Sequence, residues 1–318
     1  MSSEVFVGID TSNYTTSVGV VDADGNLLAN LKRLLPVKIG ERGLRQSDAV
    51  FAHVKNLPEL MDEARAVIGD RRIAAVGVST RPRNRDGSYM PCFLVGINAA
   101  KAMMAATGAP IYGFSHQCGH IMAALYSSKK EISGPFAAFH VSGGTTELVL
   151  AERSGLGFVC RELGGTYDVN AGQVIDRIGV HMGMPFPAGK YMQTAALANT
   201  APIPKRKPPV KGTRANLSGL ENMAIELYTR TQSRELVAAF VFEYLGRAIE
   251  MMCDGAVSEL GCVPFVFAGG VMSNSIIRAR LEERFDAAFA APELSSDNAV
   301  GIAILAQNAY KYEKGIKA

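Results

Sequence analysis

One strand pattern occurs twice in this chain of 318 residues and constrains its fold more than any other feature. The first copy has apolar strands at residues 5–10, 17–21 and 27–35, with a hydroxyl-rich turn at 11–16. The second copy has apolar strands at residues 136–141, 147–151 and 158–163, with a serine- and glycine-rich turn at 142–146. A small polar turn between two strands lets backbone N–H groups approach a phosphate closely.

Two such halves predict an α/β protein with the two-lobed actin/hexokinase/Hsp70-like (ASKHA) ATPase fold. In that fold, duplicated βββαβα-type halves surround a nucleotide cleft. We expect an N-terminal lobe at residues 1–128 and a C-terminal lobe at 129–296, with a C-terminal helix at about 297–318 packing back on the first lobe. Helical patterns are predicted at residues 47–68, 94–107, 117–126, 170–182, 191–198, 234–260, 275–284 and 298–310.

Composition excludes several other classes of protein. Apolar residues make up 48% of the chain, which is too many for a disordered protein. No apolar run reaches the ~18 residues that span a bilayer, and the N-terminus has no basic signal region. The five cysteines are scattered without a Cys-x-x-Cys pair, which argues against a disulfide framework. We therefore expect a cytoplasmic protein with no membrane partner.

Two glycine pairs each follow an apolar strand: Gly143-Gly144 and Gly269-Gly270. A single pair is typical of an ordinary tight turn, but two pairs in a duplicated layout favour nucleotide binding. The chain contains neither a Walker A sequence nor a strand-linked G-x-G-x-x-G, so P-loop and dinucleotide-binding enzymes are disfavoured.

A candidate metal site begins with His116 and His120, which lie at i and i+4 and hence on one face of a helix. This spacing suits two ligands of one transition metal. Gln117 stands where a zincin has its catalytic glutamate, so a classical metalloprotease is disfavoured. Asp297 is a candidate third ligand, and the alternative role for it is that of a helix cap or a first-turn acid.

Several short motifs occur in an order and spacing that resemble the TsaD family, formerly called Gcp or O-sialoglycoprotein endopeptidase. They are Gly8-Ile9-Asp10-Thr11-Ser12, His116-x-x-x-His120, Val141-Ser142-Gly143-Gly144, Ala171-Gly172 with Ile175-Asp176, Ser218-Gly219-Leu220, Ala268-Gly269-Gly270-Val271 with Asn274, and Ser296-Asp297-Asn298-Ala299. The resemblance spans nearly the whole chain.

The resemblance implies an N(6)-L-threonylcarbamoyladenine synthase, which moves a threonylcarbamoyl group from an adenylate to a tRNA adenine. It implies that His116, His120 and Asp297 hold one divalent metal, iron or zinc. The residues that it implies for binding the substrate or nucleotide (ATP or threonylcarbamoyl-adenylate) are Ser142, Gly143, Gly144, Asp176, Gly189, Gly269, Gly270 and Asn274. It also implies a TsaB-like accessory subunit, and a homodimer is a further option. No residue is assigned as a catalytic nucleophile, because such chemistry depends on stabilising charge.

The chain departs from the family at several acidic positions. Asn13-Tyr14-Thr15 stands where the family has Cys-Asp-Glu, and Gly165 and Val169 stand where it has Glu and Asp. These losses predict a divergent paralogue with a changed acceptor or transfer activity. The alternatives are a nucleotide-binding pseudoenzyme or partner subunit and, on fold analogy alone, a sugar or small-acid kinase.

The net charge of 33 − 30 = +3 neither demands nor excludes nucleic acid. Two basic segments, at residues 81–85 and 205–214, are candidate contacts for tRNA phosphates. The second overlaps a proline-rich stretch at residues 202–211 that cannot form a helix or strand interior, so this stretch is expected to be an exposed basic loop. The alternative for both segments is a solvated loop without a ligand.

Overall fold

The computed structural model describes residues 3–12, 14–36 and 44–316, which contain two β-sheets flanked by helices. The described residues divide into two compact units. Unit 1 comprises Met1–Ser127, Glu152–Cys160 and Asp297–Ala318, and unit 2 comprises Ser128–Ala151 and Arg161–Ser296. In the part of the chain that is described, no helix is both long and apolar enough to cross a membrane.

The sheet of unit 1 has five strands in the order β3-β2-β1-β4-β5. They are β1 (Glu4–Ser12), β2 (Thr15–Asp22), β3 (Leu27–Leu34), β4 (Arg72–Arg81) and β5 (Ile111–Ser115). The first three strands form an antiparallel meander, because short turns connect them. The last two strands add in parallel to β1, since helices make their connections.

Four helices belong to unit 1: α1 (Gln46–Ile68), α2 (Phe93–Thr107), α3 (His116–Ser128), whose last residue lies in unit 2, and α10 (Val300–Glu313). Helix α10 lies directly on the backbone of the central strands. A Cβ atom on Gly8 of β1 would lie 2.2 Å from the carbonyl oxygen of Ala299, so only glycine permits this approach. This packing attaches the C-terminal helix to the N-terminal sheet.

The second sheet has seven strands in the order β12-β11-β6-β7-β8-β10-β9. They are β6 (Phe136–Val141), β7 (Thr146–Ser154), β8 (Gly157–Thr166), β9 (Val210–Lys211), β10 (Arg214–Ala215), β11 (Phe265–Ala268) and β12 (Ala287–Phe289). Strand β6 pairs antiparallel with β7 and parallel with β11. The carboxyl ends of β6 and β11 therefore lie side by side.

The helices of unit 2 are α4 (Ala171–His181), α5 (Gly189–Leu197), α6 (Ser218–Thr231), α7 (Arg234–Leu260), α8 (Ser275–Glu282) and α9 (Pro292–Ser295). They enclose one apolar core together with the sheet, in which Phe139, Phe265 and Phe267 are almost completely buried. The long helix α7 begins at Ser233, whose hydroxyl accepts a hydrogen bond from the backbone N–H of Leu236.

The predicted hydroxyl-rich turn at residues 11–16 is wrong in its extent. Thr11 belongs to β1 and Thr16 to β2, and both are fully buried. The hydroxyl of Thr11 donates to the carbonyl of Cys92, and that of Thr16 lies 2.8 Å from Nδ1 of His53. These hydroxyl groups are engaged inside the unit, because the strands of the hairpin extend almost to its tip.

Helix α6 is absent from the predicted helical patterns. Its N-terminus is held by a residue fifty positions earlier: the carboxylate of Asp168 accepts hydrogen bonds from the backbone N–H groups of Leu217 and Ser218, each at 2.9 Å. A carboxylate at this position satisfies N–H groups that have no partner within the helix. The cap comes from a distant segment, so a local reading of the sequence cannot recognise it.

Candidate metal centre and nucleotide-binding turns

The three predicted metal ligands converge in unit 1. Nε2 of His116 and Nε2 of His120 lie 3.0 Å apart. Oδ1 of Asp297 lies 3.5 Å from Nε2 of His116 and 3.3 Å from Nε2 of His120. Ligand atoms at 2.0–2.1 Å from a tetrahedral metal are separated by roughly 3.3 Å. The three atoms are therefore spaced as one metal ion requires.

A close crossing of α3 and α10 brings the aspartate to the histidines. A Cβ atom on Gly301 of α10 would lie 2.0 Å from the carbonyl oxygen of Gly119 on α3. The two backbones therefore meet without intervening side chains. His120 follows Gly119 directly and Asp297 lies just before α10, so the crossing sets the separation of these two ligands.

In the structure Asp297 does not cap helix α10. The side-chain oxygen of the neighbouring Asn298 accepts hydrogen bonds from the backbone N–H groups of Val300 and Gly301, at 3.1 and 3.4 Å. Asn298 thus caps α10, in the manner typical of asparagine. The carboxylate of Asp297 faces the two imidazoles instead.

Two residues that contact the predicted ligands, Asp10 and Thr15, are not among the predicted site residues. Oδ1 of Asp10, a fully buried residue, lies 3.1 Å from Nδ1 of His116. The hydroxyl of Thr15 donates to Oδ2 of Asp297 at 3.3 Å. Asp10 is signalled by its place in the family-like motif Gly8–Ser12, and Thr15 by standing where the family has Glu. Such outer partners commonly orient the ligands of a metal.

The carboxylates set the charge of this cluster. Burial alone would lower the pKa of His116, but the carboxylates of Asp10 and Asp297 outweigh it and raise the pKa to about 10. Burial and the positive charge of His116 lower the pKa of His120. Burial would raise the pKa of Asp297, yet its hydrogen bonds to the two histidines hold it well below the usual range. Two carboxylates thus face one imidazolium, which leaves an excess negative charge.

The donor set fits a divalent metal in type as well as in spacing. Two imidazole nitrogens and one carboxylate oxygen are ligands of both zinc and non-haem iron. Nδ1 of His116 is occupied by Asp10, which leaves Nε2 as the nitrogen that can bind a metal. The excess negative charge favours a cation at the same place.

The predicted turn of unit 2 lies after β6. The backbone N–H of Ser142 donates to the carbonyl of Thr145 at 2.7 Å, which closes the turn. The hydroxyl of Ser142 accepts a hydrogen bond from the N–H of Gly144 at 3.3 Å. Gly143 and Gly144 are exposed, and a Cβ atom on Gly143 would meet no heavy atom within 4 Å. The backbone at Gly143 is therefore open to a ligand.

The second glycine pair follows β11, beside the first. Gly269 has a φ of +95°, and a Cβ atom there would lie 2.3 Å from the carbonyl oxygen of Val141. A Cβ atom on Gly270 would meet nothing within 4 Å. Within this pair, Gly269 is thus required for the packing of the strands, and Gly270 is open to a ligand.

Asp176 and Gly189 are brought together by one hydrogen bond. The backbone N–H of Ala188 donates to Oδ1 of Asp176 at 2.7 Å, and Gly189 begins α5 immediately afterwards. Burial raises the pKa of Asp176, although this hydrogen bond opposes the effect. Helix α4, which carries Asp176, packs with Gly172 against the backbone of Gly143. The Asp176–Gly189 pair is therefore linked to the first glycine turn through α4.

Asn274 has a structural role in the described part of the chain. It is buried, and its Oδ1 accepts hydrogen bonds from the backbone N–H groups of Ile276 and Ile277, at 3.0 and 3.1 Å. It therefore caps α8, which follows the turn of Gly270–Ser273. This contact fixes the loop that contains the second glycine pair.

Comparison of the sequence with known proteins gives one family. The family model described as "TsaD: tRNA N6-adenosine threonylcarbamoyltransferase" matches residues 40–304. A relative from Streptococcus suis (strain 05ZYH33), named tRNA N6-adenosine threonylcarbamoyltransferase, is 30% identical over 334 residues, covering 98% of this chain and 94% of the relative.

Solved structures give the fold. The chain is similar to the activator of 2-hydroxyisocaproyl-CoA dehydratase from Clostridium difficile with bound ADPNP, with a TM-score of 0.56 and 14% identity over 99% of this chain and 98% of that one. It is also similar to a ROK family glucokinase from Streptomyces griseus in complex with glucose and AMPPNP, with a TM-score of 0.53 and 15% identity over 95% and 99% of the chains. The predicted actin/hexokinase-like ATPase fold is confirmed.

Proposed function

The chain belongs to the TsaD family, and from this premise we propose that it transfers a threonylcarbamoyl group from threonylcarbamoyl-adenylate to N6 of a tRNA adenosine. The observation that carries the proposal is the convergence of His116, His120 and Asp297, with ligand atoms 3.0–3.5 Å apart. Membership of the TsaD family suggests the reaction, and the three side chains supply metal ligands suited to it.

In this proposal unit 1 holds one divalent metal, iron or zinc, through His116, His120 and Asp297. When bound, such a metal supplies Lewis-acid chemistry that polarises a phosphate or carbonyl oxygen. Asp10 orients His116 through Nδ1, and Thr15 orients Asp297 through its second oxygen. The predicted role of these residues is to hold the donors in place during the reaction.

In unit 2 the open backbone at Gly143, Gly144 and Gly270 is proposed to approach the phosphate of the adenylate. Support comes from the free space around Gly143 and Gly270 and from their position at the ends of adjacent strands. Asp176 is proposed to accept hydrogen bonds from the sugar hydroxyls. Ser142, Gly189, Gly269 and Asn274 are proposed to shape the same nucleotide site, with Gly269 and Asn274 acting through the backbone of the loop.

The presence of three converging ligands supports the enzyme over the pseudoenzyme, since a scaffold has little use for a metal site. The metal identity, an accessory TsaB-like subunit and a homodimer belong to the same proposal. Elemental analysis of the purified protein distinguishes iron from zinc, and light scattering measures the oligomeric state.

The direct test supplies the metal-loaded protein with threonylcarbamoyl-adenylate and tRNA that lacks the modification. Mass spectrometry of the digested tRNA should detect threonylcarbamoyladenosine. A His120→Gln variant should lose both bound metal and product, whereas His181→Gln, an exposed histidine on α4, should keep both. If the protein retains metal and adenylate but modifies no adenosine even when a TsaB-like subunit is added, the proposed reaction is wrong.

A further inference from the structure

A proline-rich segment of unit 2 presents three consecutive cations. Lys205, Arg206 and Lys207 are exposed between prolines, in a stretch without helix or strand. The segment then enters β9, and the carbonyl of Pro209 accepts a hydrogen bond from the N–H of Asn216 at 3.2 Å. The prolines restrict the backbone, and β9 attaches it to the edge of the sheet. The cations are therefore presented on a partly fixed backbone rather than on a free loop.

A fourth cation, Arg247 of α7, faces the same place. A shallow recess is lined by Lys205, Arg206 and Arg247 together with Glu243, Pro204 and two aromatic residues. We call Lys205, Arg206, Lys207 and Arg247 the cationic surface. The aromatic residues that line the recess, Phe240 and Tyr244, are almost fully buried and leave no ring exposed for a base to stack on.

The cationic surface has no neutralising partner within the described residues. None of its four side chains forms an ion pair there, although the structure gives ion pairs for many other cations of unit 2. Glu243, the acid that lines the recess, is instead held by Arg280, with both carboxylate oxygens 2.6 Å from Nη2. Positive charge therefore remains uncompensated at this surface.

The other basic segments of the sequence are engaged within the protein. Arg81 donates to the side chain of Asn84 at 2.9 Å. Arg214 pairs with Glu162 at 2.9 Å and lies over the ring of Tyr167, 5.3 Å from its centroid. Arg214 is thus engaged, whereas Lys205, Arg206 and Lys207 remain available for an external anion, as does the exposed Lys211 in β9.

We propose that the cationic surface binds the phosphodiester backbone of an RNA. Guanidinium and ammonium groups neutralise phosphates, and several exposed cations on a partly fixed backbone suit a chain of phosphates better than a single anion. The rings that line the recess are buried, so bases cannot stack there. We therefore assign the cations to the phosphates and expect binding here to be independent of RNA sequence. The inference rests on the proposed function, in which a tRNA is the substrate. It adds that the tRNA backbone binds to the cationic surface of unit 2.

The test measures binding of unmodified tRNA to the full chain by fluorescence anisotropy at 50–250 mM KCl. The triple variant Lys205→Gln/Arg206→Gln/Lys207→Gln removes three charges, and each phosphate contact contributes about 0.7–0.9 to the slope of log K against log salt. The slope should fall by about 2, and the affinity at 100 mM salt by roughly tenfold or more. Arg247→Gln alone should reduce the slope by about 1.

The matched control is Lys101→Gln/Lys311→Gln/Lys314→Gln, which removes the same net charge from helices α2 and α10 and the residue after α10 in unit 1. It should leave the slope unchanged. A second tRNA of different sequence should give the same losses with the triple variant, and thermal melting should show that all the variants are folded.

Four results would overturn the inference. If the triple variant and the control lose affinity equally, net charge and not this surface controls binding. If polyglutamate competes as well as tRNA, the surface is not selective for phosphates. If the wild type modifies tRNA and the triple variant binds it with an unchanged slope, the surface is wrong while the proposed function stands. A wild type that binds no tRNA at any salt concentration contradicts both.

Discussion

Oδ1 of Asp10, at the end of the first strand, lies 3.1 Å from Nδ1 of His116 at the start of α3. The other ring nitrogen of His116 faces His120 and Asp297. Asp10 is fully buried, and the positive charge of His116 together with hydrogen bonds to His116 and Ser12 lowers its pKa in spite of that burial. The ionised carboxylate of Asp10 therefore holds the imidazole ring of His116 in one orientation through Nδ1 and makes Nε2 a stronger metal ligand.

We expect Asp10→Asn to weaken metal binding by about 10–100-fold, because the amide keeps the shape of the side chain but loses its charge. Chelator competition with zinc or ferrous iron measures the affinity. Asp22→Asn is the matched control, since Asp22 lies in the same unit and accepts hydrogen bonds from the turn residues Asp24 and Asn26. Equal affinities for the wild type and Asp10→Asn would show that the carboxylate does not support His116.

Metal binding should release about one proton. With a pKa of about 10, His116 carries a proton on both ring nitrogens at neutral pH in the metal-free protein, so Nε2 has no lone pair for a metal until it loses its proton. Apparent metal affinity should therefore rise about tenfold per pH unit between pH 6.5 and 8.5. Calorimetry in buffers with different ionisation enthalpies counts the protons. An affinity that stays constant over this range would contradict the assignment of the proton to His116.

Gly301→Ala should reduce both stability and metal affinity. The added methyl group would lie 2.0 Å from the carbonyl oxygen of Gly119 and force α10 away from α3. We expect a loss of about 1–3 kcal/mol in the free energy of unfolding. Gly219→Ala in α6 meets no atom within 4 Å and should be neutral or stabilising by up to about 1 kcal/mol. Denaturant unfolding measures the change in stability, and metal titration measures the change in affinity. Unchanged metal affinity in Gly301→Ala would show that the crossing of α3 and α10 does not position the metal ligands.

The two kinds of glycine in the turns of unit 2 should respond differently to alanine. Gly269→Ala should cost about 2 kcal/mol or more, because φ is +95° and the methyl group would meet the carbonyl oxygen of Val141. Gly143→Ala and Gly270→Ala should change stability by less than about 0.5 kcal/mol but weaken nucleotide binding. Thermal melting and calorimetry with an ATP analogue measure these effects. Full nucleotide affinity in both open-site variants would exclude these glycines from the site.

The strands and most helices could be predicted because their signals are local. Apolar runs at residues 5–10 and 136–141 lie in β1 and β6, and the pattern at 234–260 is α7 over its full length. Helix α6 is missing from the predicted helices although Leu220, Ala224 and Leu227 repeat at helical spacing. Its cap could not be predicted, since Asp168 comes from another segment. The hydroxyl-rich segment at 11–16 was expected to be open, but tertiary partners such as Cys92 and His53 take its hydroxyl groups.

The duplicated α/β layout, the family and the identity of three candidate ligands can be recognised in the amino-acid sequence, because each depends on residue types at fixed spacings. The roles of those residues depend on which distant segments the fold brings together. The sequence leaves Asp297 as either a metal ligand or a helix cap, and in the structure Asp297 faces the histidines while Asn298 caps α10. Asp10 gained its role in the same way, since the partner of a buried charge is set by packing between segments more than a hundred residues apart.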